Sequence, residues 1–382
     1  MRLLHTSDWH VGRTFHGRDL LAEQESVLGG LADLVVDERV DAVVVSGDLY
    51  DRAVPSAEAV AVCGRVLRRI ADAGARIVIT PGNHDSAPRL GAFAAFTPAG
   101  GLHLLTSMTD LHRPVVMADR HGPVALYGIP YLEPDPARAV FGDPELKGHS
   151  GVLGEAMRRI RADLADQPEG TRSVVLAHAF VVGGEACDSE RTIAVGGVPH
   201  VPGKLFDGVD YAALGHLHGP QTLAEHLRYS GSPLAYSFSE ARHRKSVWLV
   251  ELDQGGLAGV ERRELPVPRP LATLRGELAE LLDDPAHEAV VNHFLSVELT
   301  DPARPLDAMR RLQKRFPHAV HMEWRPVGRI EAPRKYSEAV RGRDDEAVSC
   351  CFVEAVRGTE ATPSERALLR SALAEVAGKE RE

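Results

Sequence analysis

The chain has 382 residues, 44% hydrophobic and 26% charged, which is enough for two domains with buried cores and unlike the composition of a disordered chain. A formal net charge of −10 excludes a broadly basic coat, so any grip on a phosphate backbone must come from local basic patches, metal ions or a basic partner. No apolar run reaches the roughly 20 residues that span a bilayer, MRLLHTSDWH turns polar too early for a secretory signal, and Cys63, Cys187, Cys350 and Cys351 show no CxxC spacing, so the expected setting is cytoplasmic, without a membrane.

In chain order, residues 3–7 predict a short strand. Val27, Leu28, Leu31, Leu34 and Val35 recur on one helical face, and residues 42–45 form an apolar run of buried-strand type. Pro55 and Ser56 open a second helix carrying Val62, Val66, Leu67 and Ile70, and a strand follows at 77–79. Further strands are expected at 124–127, 174–177, 211–214 and 247–252. Apolar strands separated by helices imply an α/β layered domain with its sheets covered by helices. Sites in such folds lie beyond strand ends, in the loops.

Residues 265–270, reading LPVPRP, break the pattern and bound a first domain at 1–268. A smaller α+β unit is expected at 269–332. It carries a strand at 294–299, a helix marked by Leu306, Met309, Leu312 and Phe316, and a strand on which Val320, Met322 and Trp324 alternate. A charged stretch at 333–346 reads as a linker. Residues 347–382 predict a helical hairpin. Its first apolar face is Val348, Cys351, Phe352, Ala355 and Val356. Its second helix opens on the capping box of Thr362 and Glu365, with Pro363 at the first helical position, and continues through Leu368, Leu369, Ala372, Leu373 and Val376. Such a hairpin either packs on its own domain or docks a partner.

Five strand ends carry metal-competent side chains. The first gives Asp8 and His10, the second Gly47-Asp48, and the third Gly82-Asn83-His84-Asp85; later runs end at His178 and at His216 and His218. Carboxylates and imidazoles without thiolate suit Mn²⁺, Fe²⁺ or Zn²⁺. Residues two apart on an extended segment point the same way, so Asp8 and His10, like His216 and His218, can converge on one centre. The glycines at 47, 82 and 215 admit close backbone approach. The pattern supports a dinuclear metal site.

The order DxH, GD, GNHD, H, GHxH resembles that of the calcineurin-like metallophosphoesterases. TSDWHVGRTFHGR, GDLYDRAVPS, GNHDSAPRL, ALGHLHGPQ and RYSGSPLAYSFSE are closer still to the SbcD family of bacterial nuclease subunits within it. The resemblance implies a sandwich of two β-sheets flanked by helices, a small α+β capping domain and a C-terminal helical hairpin. It implies one ion held by Asp8, His10, Asp48 and His218, and another by Asp48, Asn83, His178 and His216, with Mn²⁺ as the expected metal. His84 matches the non-ligand histidine that assists the transition state or protonates the leaving group, and Asp85 either orients it or braces the loop. Arg13, His16, Arg52 and Arg89 adjoin the ligands and either contact phosphates or form local salt bridges.

The family's activity is DNA phosphodiester hydrolysis, exonucleolytic on duplex ends and endonucleolytic on hairpins or single strands, in DNA repair and recombination. Its expected partners are DNA, a second copy in a homodimer, and an SbcC-type coiled-coil ATPase docked by the hairpin, in a cytoplasmic, nucleoid-associated complex. One departure stands out: Asp51 occupies the place of a histidine that archaeal and eukaryotic relatives carry after GD. Phosphoprotein phosphatases share the ligand set, but Pro81 precedes GNHD here and Ala53 follows Asp51-Arg52 where they have glycine. A cyclic-nucleotide phosphodiesterase would not need the region after Pro270, and a non-catalytic adaptor would be expected to lose ligands.

Overall fold

The strand Ala42–Ser46 shows why the chain layers as it does. Successive side chains of a strand face opposite ways, and here both directions are apolar. Val43 and Val45 join Leu4, Ile77 and Ile79 in a core that the helices Leu21–Asp37 and Ala57–Asp72 cover with Val27, Leu28, Leu31, Val62, Val66 and Ile70. Ala42 and Val44 face the other way, against Leu126, Val174, Leu176 and Ala213 of a second sheet. That sheet's outer face, with Tyr127, Val175, Ala177, Ala212 and Leu214, receives Val152, Ala156, Met157 and Ile160 of the helix Gly148–Asp166. The result is a helix–sheet–sheet–helix sandwich. Ser56 starts the second helix as foreseen, its hydroxyl accepting from the Ala59 amide at 3.2 Å.

The computed structural model describes residues 1–190, 201–327, 342–357 and 359–379. It divides into two units, Met1–Pro268 and Arg269–Glu382. In the first unit, one sheet runs in spatial order Gly256–Glu264, Ser246–Asp253, Arg2–Thr6, Ala42–Ser46, Arg76–Thr80 and Leu102–Leu104. The other runs Gln221–Ala224, Leu227–Tyr229, Tyr211–Gly215, Arg172–His178, Gly122–Ile129 and Val115–Asp119. The central strands of each are parallel, with Leu3 opposite Ala42, Val43 opposite Ile77, and Gly215 opposite His178. Parallel strands finish on one edge, and that edge carries the site. Several edge strands escape the sequence pattern. Gly256–Glu264 reads GLAGVERRE, because a strand paired on one side and largely exposed needs no continuous apolar run.

The two sheets of the first unit are tied by a buried charge. Arg172, 2% exposed, donates to Asp119 from Nη2 at 2.6 Å and from Nη1 at 3.1 Å, and the Met1 amine reaches the same carboxylate at 2.6 Å. Asp119→Asn is expected to lower the unfolding free energy by about 3–5 kcal/mol, because it strands the Arg172 charge in the interior. Urea denaturation checks this; a loss under about 1 kcal/mol would contradict it.

In the second unit the strands Leu271–Gly276, Phe294–Leu299 and Ala319–Trp324 lie parallel in that order, linked through the helices Leu278–Asp283 and Ala308–Arg315. Its core gathers Leu274, Leu281, Leu295, Val297, Leu312 and Phe316. Two sequence expectations need correction. Leu306 lies before the helix and is 87% exposed, because Asp307 takes a left-handed turn (φ 50°) that starts the helix only at Ala308. Val320 does not share a face with Met322 and Trp324 in simple alternation. The ladder pairs Leu295 with Ala319 and then Ser296 with His321, so Val320 is an extra residue that shifts the phase and leaves Ala319 buried.

The hairpin helices are Asp345–Arg357 and Pro363–Lys379. The capping box is present and reciprocal: the Thr362 amide donates to Glu365 Oε2 at 2.7 Å and the Glu365 amide to Thr362 Oγ1 at 3.3 Å. Arg370 clamps Glu346 through two bonds of 2.7 and 2.9 Å. The linker expected at 333–346 lies outside the described residues up to Arg341. Among the described residues, no helix is long and apolar enough to cross a membrane.

Candidate metal centre

The loops past the strand ends are sewn to one another by backbone bonds. The Asp8 amide donates to the Gly47 carbonyl at 3.0 Å and the His10 amide to the Asp48 carbonyl at 2.9 Å. The His84 amide donates to Asp48 Oδ1 at 2.8 Å, and the His216 amide to Asp8 Oδ1 at 3.0 Å. His178 crosses between the sheets to bond the Ser46 carbonyl through Nδ1 at 3.0 Å. The loops approach this closely because glycine allows it. A methyl on Gly47 would overlap the His178 ring, one on Gly82 the Asp48 carboxylate, and one on Gly215 the Ser46 carbonyl.

Strain concentrates at the same residues. Asp8, His10 and Asp48 hold φ of 53°, 46° and 51°, and His216 holds 105°, all rare for side-chain-bearing residues. Such conformations persist where surrounding structure over-determines them, often at functional sites. Asp8, His10, Asp48, His178, His216 and His218 are buried, and Asn83 is half-buried. Donor atoms of Asp8, His10 and His218 lie within 4.8 Å of one another, as do those of Asp8, Asp48 and His178. The His216 ring stands edge-on to His178 with centroids 5.3 Å apart. All seven ligand candidates thus meet at one end of the sandwich.

The lone pairs test whether cations fit. With Nδ1–H of His178 given to Ser46, its Nε2 lies 2.8 Å from Asn83 Oδ1 and 3.4 Å from Asp48 Oδ2. The Nε2 atoms of His10 and His218 face each other at 3.0 Å. Each of these facing pairs needs one proton or one cation between its atoms. Burial alone would lower His178, but Asp48 opposite raises it to about 9. Burial pushes the Asp8 carboxyl up to about 6 and drives His216 down to about 3. Asp48 is held well below the usual carboxylate range: burial opposes ionisation, but His178, His10 and His84 beside it prevail. Oxygen and imidazole donors in this array fit divalent cations.

Around the array, Asp85 takes the bracing position. Its carboxylate accepts from the Leu49, Tyr50 and Gly82 amides at 3.0, 3.0 and 2.9 Å, joining the GD and GNHD loops. His84 is anchored by Nδ1 to the Asp51 carbonyl at 2.8 Å. The four basic candidates divide. Arg52, with its side chain 80% exposed, and Arg89, exposed on the short helix Ala87–Leu90, face solvent. Arg13 turns inward to the Ser189 carbonyl at 2.7 Å, with Asp51 3.7 Å away and the Tyr236 ring beneath it. His16 is exposed, its ring against Phe15 and Phe238. Asp51 itself stands 3.7 Å from His10 Nδ1.

Sequence reasoning missed the second layer. Gln24, fully buried, bonds the His10 carbonyl at 2.8 Å, the Gly12 amide at 3.0 Å and the Tyr236 hydroxyl at 3.0 Å. Its signal was a polar residue one turn ahead of Val27 and Leu28 on the buried side of a helix. Ser189, Glu240 and Lys245 lie buried behind His218.

Residues 1–220 match the family model described as calcineurin-like phosphoesterase, and residues 267–357 match the type 5 capsule protein repressor C-terminal domain. The SbcD component of the nuclease SbcCD from Bacillus subtilis (strain 168) is 35% identical over 349 residues, covering 86% of each chain. Among solved structures, a dimetal phosphatase from Danio rerio aligns with a TM-score of 0.37 and 13% identity over 70% of this chain and 98% of its own. The chain belongs to the calcineurin-like phosphoesterase family and, within it, to the SbcD family of SbcCD nucleases.

Proposed function

We propose that the chain is the nuclease subunit of an SbcCD-type complex, hydrolysing DNA phosphodiesters as a double-strand exonuclease and as an endonuclease on hairpins and single strands. The observation that carries this is the clustering of Asp8, His10, Asp48, His178 and His218, with Asn83 and His216 against His178, at one strand-end edge of a chain 35% identical to a protein named as part of a nuclease. Asp8, His10, Asp48 and His218 would hold one divalent ion and Asp48, Asn83, His178 and His216 the other, with Mn²⁺ as the metal. When bound, the ions supply Lewis acidity toward the phosphoryl oxygens and activate water near neutral pH.

The rest is done by the chain. His84, fixed through Nδ1 on the Asp51 carbonyl, leaves proton exchange with the leaving oxygen to Nε2. Asp85 keeps the two loops in register beneath it. Arg52 and Arg89 offer guanidinium groups to phosphates, positioning the strand without reading its sequence. Arg13 serves the site by fixing its wall, one nitrogen of its guanidinium donating to the Ser189 carbonyl. The 269–332 unit caps the DNA.

Assaying a linear duplex, a hairpin, a phosphopeptide and a cyclic nucleotide with Mn²⁺ tests this reading. The duplex and the hairpin are expected to be cut; faster turnover of the phosphopeptide or the cyclic nucleotide would contradict it.

The hairpin leaves Phe352 56% and Leu368 70% exposed, apolar area of the kind a partner covers. In the proposed complex that partner is the coiled-coil base of an SbcC-type ATPase, and the active unit is a homodimer in the cytoplasm, associated with the nucleoid. Light scattering giving twice the chain mass supports the dimer; a single chain mass at micromolar concentration opposes it. Removing residues 346–382 is expected to abolish co-purification with the ATPase while leaving Mn²⁺ binding intact. Co-purification of the truncated chain would refute the docking.

A further inference from the structure

His218 is held at three points. Its amide donates to Glu190 Oε1 at 2.6 Å, and its carbonyl accepts from Lys245 Nζ at 3.0 Å. The third point is the ring: Nδ1 lies 2.7 Å from Ser189 Oγ, and that oxygen lies 2.5 Å from Glu240 Oε1.

Counting protons decides the direction of this chain. Glu240 is 1% exposed and ion-paired with Lys245, which is 3% exposed. Lys245 Nζ donates to one oxygen of Glu240 and the Tyr236 amide to the other at 3.0 Å, so the group stands as a carboxylate and can only accept. A serine hydroxyl has one proton, and at 2.5 Å it belongs to Glu240. The Cys187 sulfur, 3.3 Å from Ser189 Oγ, is a weaker and longer alternative whose own proton goes to Glu190 at 3.2 Å. Ser189 Oγ must therefore accept from His218, which places the imidazole proton on Nδ1. The lone pair is then on Nε2, facing His10 Nε2 at 3.0 Å in the cluster with Asp8.

We propose that Ser189 and Glu240, braced by Lys245, are positioning residues that lock His218 in its Nδ1–H form and so aim its Nε2 lone pair at the ion shared with Asp8 and His10. This rests on the assignment of His218 as a ligand. Partners on the far side of a ligating imidazole fix its tautomer and orientation, and losing one weakens metal affinity by about 10- to 100-fold.

The test is calorimetric titration of the full chain with Mn²⁺, alongside melting in metal-free buffer. Ser189→Ala is expected to melt close to the unmodified chain and to weaken one of two Mn²⁺ sites by about 10- to 100-fold, the other unchanged. Ser189→Thr, which keeps the hydroxyl, should restore it to within a few-fold. Ser189→Cys gives a second reading should the alanine variant not fold, and should be weakened likewise. Unchanged affinity at both sites in the alanine and cysteine variants would overturn the relay while leaving the metal centre standing. Absence of Mn²⁺ binding by the unmodified chain would overturn both.

Discussion

Asp48→Asn is expected to reduce Mn²⁺-dependent DNA cleavage by at least about 10³-fold, or roughly 4 kcal/mol of transition-state stabilisation. The residue is central by geometry. Its Oδ2 lies 3.4 Å from His178 and 3.6 Å from His10, one from each proposed ligand set, as the proposed shared role requires. Its Oδ1 accepts the His84 amide at 2.8 Å, a bond that an amide oxygen can keep. The asparagine variant should therefore fold and hold its loops while losing the negative charge between the ions. Metal binding and cleavage should fall together, with little change in melting. Cleavage at the unmodified rate, with metal still bound, would remove Asp48 from the centre.

His84→Gln is expected to behave differently. Cleavage should fall by about 10²- to 10⁴-fold, the range for losing a positioned acid or base, while Mn²⁺ binding stays as in the unmodified chain. The distinction follows from what each side chain touches. His84 is held by the Asp51 carbonyl, and its ring packs edge-on to His10 with centroids 4.6 Å apart. Equal losses of metal affinity and cleavage would make it a ligand and not a proton donor. Single-turnover kinetics at saturating Mn²⁺ separate the two outcomes.

The sandwich was legible because its central strands are apolar on both faces. Runs such as Val43–Val45 or Val174–Ala177 can only be buried, and each ends abruptly at a polar cluster. The ligand candidates were legible for the same reason, since Asp48 and His178 stand directly at the ends of such runs. Edge strands were less so: Gly256–Glu264 pairs on one side and carries Glu261, Arg262 and Arg263 on the way. Phase errors came from backbone conformation, which composition does not report. The extra residue at Val320 and the left-handed turn at Asp307 each displaced an apolar pattern from the face its spacing implied.

The support behind the ligands was hidden by distance along the chain. Gln24 meets Tyr236, Ser189 meets Glu240, and Asp8 receives the His216 amide, contacts spanning 51 to 212 residues. Asp8 and His216 stood out in the sequence as ligand candidates, but Gln24, Ser189, Tyr236 and Glu240 read there as ordinary polar residues. Gln24 alone carried a local hint, being polar where the helix turns inward. Ser189 had none: its role exists only because Glu240 claims its proton.

The pair of cations is tested most directly by diffraction. Crystals of the full chain treated with Mn²⁺ and measured at the manganese absorption edge are expected to show two anomalous peaks about 3.5–4 Å apart, with the Asp48 carboxylate between them. Strong diffraction with no peak at Asp48, or with peaks confined to surface carboxylates, would contradict it.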